Sequence, residues 1–188
     1  MIHRRPAVKF LLENRPANLL AVSGLGSATW DLAAAGDDAR NFCFNGVMGQ
    51  AAPFALGLAL ARPDTRVVLF TGDGELIMSL GVLTTIANQA PPNLVVIVLD
   101  NEAYGETGGQ PTATAGRTDL EAVARGAGIA NSRTVTEEAE LRELREALHT
   151  AFGPVFATVK IVAESLPLVF PYTFDGVTAI NRFRETIA

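Results

Sequence analysis

The chain has 188 residues, 48% hydrophobic and 19% charged, with a formal net charge of −5. That is enough apolar material for one real core and too much for a disordered chain. The acidic balance leaves no basic footprint for nucleic acid, and no apolar run approaches the ~20 residues that span a bilayer. A single cysteine, Cys43, excludes a disulfide framework within the chain and favours a reducing, cytoplasmic setting. The opening MIHRRPAVKF is charged and lacks the apolar stretch of a signal peptide.

Taken in chain order, residues 7–14 read as a short helix that ends before Pro16, and 17–22 as a strand. The strand runs into a glycine-rich turn, Gly24-Leu25-Gly26-Ser27, and a helix near 29–35. A hinge over 36–40 leads to a brief extended piece at 41–44. Gly46-Val47-Met48-Gly49 then turns into a helix of small residues over 51–61, stopped by Pro63. Residues 66–70 (RVVLF) are too short for a helix and β-branched, as a buried strand is. After Gly72-Asp73-Gly74 a helix is expected over 75–88, and 94–99 (LVVIVL) forms the next buried strand. Two apolar strands joined by a helical crossover make a βαβ unit and hence a parallel sheet.

A long polar loop over 102–118 follows. Loops of that length in a compact domain are more often functional than filler. Helices are expected over 119–127 and 137–150, the second strongly amphipathic through Leu141, Leu144 and Leu148. A last strand covers 154–162. Residues 165–188 form a C-terminal arm and helix, with Val177, Ile180, Phe183 and Ile187 on one stripe. The sum is an α/β fold: one domain over 1–188, a doubly wound parallel sheet with helices on both faces.

In such sheets ligands bind at the carboxyl ends of the strands. Alone, Gly72-Asp73-Gly74 is a tight strand-to-helix turn with Asp73 as N-cap. Asn101 changes that reading. Gly74 and Asn101 are separated by 26 residues, room for a helix and a return strand, so Asp73 and Asn101 emerge at one edge. A carboxylate and an amide oxygen are hard ligands that suit Mg²⁺ or Ca²⁺ and not Zn²⁺. Two protein oxygens leave sites for phosphate, water and a carbonyl, and the following helix offers its N-terminus to an anion. Metal ligands beside an anion cradle imply a diphosphate.

The pattern Gly72-Asp73-Gly74, 26 residues, Asn101 resembles the thiamine diphosphate signature. Over roughly 17–162 the chain is similar to the pyrophosphate-binding module of thiamine-dependent decarboxylases. The likeness is greatest to sulfopyruvate decarboxylase β subunits and phosphonopyruvate decarboxylase, through Gly46-Val47-Met48-Gly49 and the loop DNEAYGETGGQPTAT (100–114). The resemblance implies thiamine diphosphate and Mg²⁺ as cofactors, with Asp73, Asn101 and the carbonyl of Ala103 on the metal. It implies cofactor contacts from Gly26, Ser27, Gly46, Met48, Gly72, Gly74, Glu75, Tyr104 and Gly105. Within that set, the carbonyl of Gly46 meets the aminopyrimidine and Met48 wedges the cofactor into its bent shape. Glu75 stands where a small residue is usual, so its side chain is expected to pair elsewhere. Gln110, Thr112 and Thr114 are candidate substrate contacts, and Arg117 is the cation nearest in sequence.

The glutamate that activates the pyrimidine ring in this family comes from another domain, and no catalytic residue is assigned within this chain. The implied protein is therefore one subunit of a two-component 2-oxo acid decarboxylase, a lyase. A separate pyrimidine-binding subunit completes it as α2β2 or a larger hetero-oligomer. A carboligase subunit and a non-catalytic cofactor-binding regulatory subunit are the alternatives. A nicotinamide-binding domain is disfavoured, because the turn after Val22 lacks the full G-x-G-x-x-G. His3 and His149 read as surface residues, Glu102 and Glu106 as loop acids, Cys43 as packed, and Trp30 and Phe42 as core or interface.

Overall fold

The apolar runs pair side by side. In this computed structural model, which describes residues 1–44, 46–172 and 175–187, the strands are β1 (Leu19–Ser23), β2 (Asn41–Cys43), β3 (Arg66–Gly72), β4 (Leu94–Asp100), β5 (Ala103–Tyr104), β6 (Gln110–Pro111), β7 (Asn131–Val135) and β8 (Val155–Lys160). The helices are α1 (Arg4–Leu12), α2 (Ser27–Ala34), α3 (Ala51–Ala61), α4 (Asp73–Ile77), α5 (Val82–Gln89), α6 (Leu120–Ala127), α7 (Leu141–Thr150) and α8 (Gly176–Thr186).

Six strands form one sheet in the order β2-β1-β3-β4-β8-β7, every pair parallel. From β1 the chain goes outward to β2 and then crosses back to β3 on the other side. The direction of winding therefore reverses beside β1, and α/β sheets open a crevice at such a point.

The pleat divides the core. Along β4, Val95, Ile97 and Leu99 pack with Leu11 of α1, Leu32 of α2, and Leu144 and Leu148 of α7. The alternate residues Leu94, Val96 and Val98 pack with Ala55 and Ala59 of α3, Leu83 and Ile86 of α5, and Leu120 and Ala124 of α6. Both faces are covered, so LVVIVL is apolar throughout and does not alternate. Each such side chain contributes about 1.5–3 kcal/mol when fully buried.

The structure departs from the sequence pattern in four places. The helix expected over 75–88 is two helices, α4 and α5, joined by tight backbone bonds such as Val82 N to Ser79 O at 2.8 Å. Ser79 and Gly81 are poor helix formers at that break. Strand β7 carries no apolar run: only Ser132 and Val135 of NSRTV are buried, and it pairs with β8 alone. Such an edge strand leaves no hydrophobic trace in the sequence. The loop over 102–118 holds the antiparallel hairpin β5–β6 and 3₁₀ turns at Gly105–Thr107 and Ala113–Ala115. On α8, Phe183 is buried against Phe42, with ring centroids 5.1 Å apart, while Val177 and Ile180 of the expected stripe are exposed.

Along the C-terminal arm, Leu168, Phe170 and Tyr172 are exposed, and Phe174 lies outside the described residues. Cys43 is half-buried against the core, and burial pushes its thiol above the ordinary range. No helix among the described residues is long and apolar enough to cross a membrane.

Asp38 ties the end of α1 to β2. Its carboxylate accepts from Arg40 Nη2 and from Arg15 Nη2, both at 2.6 Å, and from the Arg40 backbone N–H at 2.9 Å. Partial burial acts to raise its pKa, but the hydrogen bonds from Arg40 and Arg15 outweigh it and hold the carboxyl well below the usual range. A carboxyl depressed by folding adds stability above its unfolded pKa, and that stability is lost as pH falls through the folded value. Asp38→Asn should therefore be less stable than wild type in urea titrations at neutral pH. The gap should narrow as pH drops below about 4 and close at the acid limit.

Candidate functional site

At the switch point a cleft of about 370 Å³ opens at the ends of β1, β3 and β4. That is the size range of small-molecule sites, roughly 300–1,000 Å³. The β1–α2 turn brings Gly26 and Ser27, and the β3–α4 turn brings Gly72, Asp73, Gly74 and Glu75. The segment after β4 brings Asn101, Ala103, Tyr104 and Gly105, and the turn before α3 brings Met48. Four of the expected cofactor and substrate contacts lie outside the lining, Thr114 among them, buried against Asp73 and Asp100. Gly46 is exposed, and a side chain there would collide with the Phe44 ring. Gln110 is exposed on the hairpin, and Thr112 is buried beneath the cleft wall.

The β3–β4 register explains the pairing of Asp73 with Asn101. Gly72 lies opposite Leu99 on adjacent strands, so both chains leave the sheet at one level. Glu102 then takes φ 60, a left-handed conformation uncommon outside glycine. This sharp turn lets Asn101 and Ala103 face the same cleft. It is held by Asp100 Oδ1, which accepts from the Glu102 N–H at 3.1 Å. Asn101 Oδ1 accepts from the Ala103 N–H at 3.2 Å.

Asp73 is almost fully buried. Its Oδ2 receives Thr112 Oγ1 at 2.5 Å and Thr114 Oγ1 at 2.9 Å. Thr114 Oγ1 also lies 2.8 Å from Asp100 Oδ1, and Lys160 Nζ donates to Asp100 Oδ2 at 2.9 Å. Two hydroxyl protons thus serve two buried carboxylates. Burial pushes the Asp73 carboxyl above the ordinary range; the charge of Asp100 adds to that and the threonine hydroxyls oppose it. Asp73 Oδ1 carries no side-chain hydrogen bond among the described residues. A buried, cleft-facing acid of this kind gains from a cation.

The two glycines of the turn have different reasons. A side chain at Gly74 would meet the Tyr104 ring and the Thr112 methyl, so close packing of the hairpin requires glycine there. Nothing lies within 4 Å of where a Gly72 side chain would be. The space it leaves belongs to the cleft, where a ligand can approach the main chain.

Glu75 lines the cleft but turns its charge aside. Its Oε2 accepts from the Leu25 N–H at 3.1 Å and from Thr71 Oγ1 at 3.0 Å. Oε1 has no hydrogen-bond partner among the described residues. Burial raises this carboxyl above the ordinary range, against the bonds from Thr71 and Leu25 and the nearby N–H groups of Ala51 and Gly49. Those last two favour the anion by proximity without bonding Oε1.

Residues that the sequence pattern did not assign to the site complete the wall. Trp30 and Glu106 both line it, and Glu106 Oε1 accepts from Ser27 Oγ at 2.9 Å and Trp30 Nε1 at 3.3 Å. Arg4 lines it from α1, while Arg117 is exposed on the loop and takes no part. Among the described residues no three His, Cys, Asp or Glu side chains converge as a metal cage. A metal held by Asp73, Asn101 and the Ala103 carbonyl would take its other oxygens from a ligand and water.

Comparison with known proteins adds to this geometry. The family described as thiamine pyrophosphate enzyme, C-terminal TPP binding domain, matches residues 24–161. The β subunit of sulfopyruvate decarboxylase from Methanocaldococcus jannaschii is 36% identical over 160 residues, which cover 85% of this chain and 82% of that one. Phosphonopyruvate decarboxylase from Streptomyces viridochromogenes is 39% identical over 166 residues, 87% of this chain but 41% of that one. A solved structure from Mycobacterium smegmatis, assigned as a thiamin diphosphate-dependent enzyme, superposes with a TM-score of 0.69 at 25% identity. It covers 86% of this chain and 32% of that one.

The Thr114 hydroxyl is the link between the two buried acids. Thr114→Val should destabilise the chain by about 1–3 kcal/mol in denaturant titrations, the cost of an unsatisfied buried group. Thr114→Ser, which keeps the hydroxyl, should recover most of that loss.

Proposed function

Because the chain belongs to the thiamine pyrophosphate enzyme family, we propose that it is the diphosphate- and Mg²⁺-binding subunit of a two-component 2-oxo acid decarboxylase. One observation carries this reading: Asp73, Asn101 and Ala103 reach a single cleft from adjacent strands, at the point where the sheet reverses. The donor set fits Mg²⁺, which prefers oxygen ligands and keeps places for phosphate and water. Asp73 Oδ1, the Asn101 side-chain oxygen and the Ala103 carbonyl would hold the ion.

Around it, Gly72 leaves space, the backbone of Gly74 and Glu75 would serve the phosphates, and Ser27 lines the cleft from the β1–α2 turn. Met48 offers a large apolar surface to the cofactor rings, with Tyr104 beside it. When bound, the cofactor supplies the electron sink for loss of CO₂ from a 2-oxo acid. This chain's share would be to bind and orient the cofactor by holding its charged tail.

The two lengths of relative support a separate partner. The Methanocaldococcus protein is a β subunit close in extent to this chain, whereas the Streptomyces decarboxylase is a single chain more than twice as long as the matched part. A separate pyrimidine-binding subunit would bring what this chain lacks, including the activating glutamate. The assembly is then a cytoplasmic hetero-oligomer, with sulfopyruvate or phosphonopyruvate as the substrate class. Calorimetry with thiamine diphosphate, with and without Mg²⁺, tests the reading on the chain assembled with its partner. Binding should require the metal, and Asp73→Ala should weaken it at least about tenfold, the loss of a charged ligand. The assembly should release CO₂ from one of the two substrates. Metal-independent binding, or full partner activity with Asp73→Ala, would instead mark a non-catalytic subunit.

A further inference from the structure

Arg4 is the one cation that lines the cleft among the described residues, together with three carboxylates, Asp73, Glu75 and Glu106. It is 4% exposed. A guanidinium so deeply buried needs partners for its five N–H donors. Its Nη1 donates to the Ser27 carbonyl at 3.2 Å and to Asp31 Oδ2 at 2.5 Å. Its other nitrogens make no hydrogen bond among the described residues, yet they are not sealed inside the protein.

The charge count points the same way. Asp31 is fully buried and also receives Arg5 Nε on Oδ1 at 3.0 Å. Two guanidiniums share one carboxylate, which leaves a net positive charge beside the cleft. Arg5 turns outward, where its Nη2 donates to the Pro167 carbonyl at 2.8 Å, so the surplus faces the cleft through Arg4. The Ile2–Ile161 bridge fixes the start of the chain against the end of β8, and Ile161 itself lines the cleft beside Arg4.

We infer that the open edge of the Arg4 guanidinium takes an oxyanion of the cofactor's diphosphate. This rests on the reading of the cleft as a thiamine diphosphate site. The phosphate end is the one that the buried Asp73 and the half-buried Asn101 would draw inward, and Arg4 is buried almost as deeply as Asp73. A planar fork suits a phosphoryl group, and the charge-assisted bonds are strong in a dry cleft.

The test compares Arg4→Gln with Arg5→Gln on the full chain assembled with its partner. Both lose a bond to Asp31, but only the first removes a cleft cation. Affinities for thiamine diphosphate and for inorganic pyrophosphate, each with Mg²⁺, are read by calorimetry, with thermal melting as the check of folding. Arg4→Gln should weaken both ligands by the same factor, about ten- to a hundredfold, while Arg5→Gln changes neither by more than about threefold. Arg4→Lys keeps the charge and the pair with Asp31 but not the fork; it should fall between, which keeps the inference testable if the glutamine variant does not fold. Equal losses in the Arg4 and Arg5 variants would overturn the assignment. So would unchanged pyrophosphate affinity with a raised KM for the 2-oxo acid, which would give Arg4 to the substrate's acid tail. A wild-type assembly that binds neither probe would overturn the cofactor reading itself.

Discussion

The site depends on one buried carboxylate that does not line the cleft. Asp100 closes β4 at 2% exposure and is fully engaged. Its Oδ1 accepts from the Glu102 backbone and the Thr114 hydroxyl, and its Oδ2 from Lys160 at the end of the neighbouring strand β8. The first bond stabilises the left-handed turn at Glu102. The second draws the segment after the β5–β6 hairpin back against Asp73. The third supplies the charge that allows an acid to be buried at all, since an unpaired carboxylate in that position would be far too costly. Without Asp100, Asn101 and Ala103 would have no reason to face the same point as Asp73.

How much of this was legible in the sequence follows from what each residue needs from the rest of the chain. Asp73 and Asn101 were legible because a βαβ unit is local. Two buried strands and a crossover of the right length force their ends to one edge, whatever the remainder does. Splitting the crossover into α4 and α5 left that intact, because it changed the path between the strands and not their register. Strand β7 was hidden because an edge strand with two buried positions carries almost no hydrophobic signal.

Arg4 was hidden for a different reason. It sits near the start of the chain, far from every glycine turn, and reaches the cleft only because α1 packs on the face shared with α2 and α7. A search for cations near the strand ends in sequence finds Arg117 instead, which the structure leaves in solvent. Thr112 and Thr114 show the same limit from the other side. Their loop was recognisable as functional by its length, but as side chains bound to Asp73 and not as open contacts in the cleft. Pairing across a fold is tertiary information, and spacing along one strand does not contain it.

A cleft walled by acids and proposed to hold an anion looks contradictory until the order of charges is considered. Asp73, Glu75 and Glu106 would repel a diphosphate brought alone. Brought with a divalent cation, the ligand presents a positive centre to Asp73 and spreads its remaining negative charge over oxygens that must face other groups. The chain's geometry separates these demands. Asp73 lines the cleft, Glu75 turns its charge to the Leu25 N–H and the Thr71 hydroxyl, and Glu106 turns its own to Ser27 and Trp30. The carboxylate that would meet the metal keeps Oδ1 free of side-chain bonds among the described residues. Such a cleft would disfavour free phosphates, which lack the cation, and selectivity for the pair would arise from the same acids that appear to oppose it.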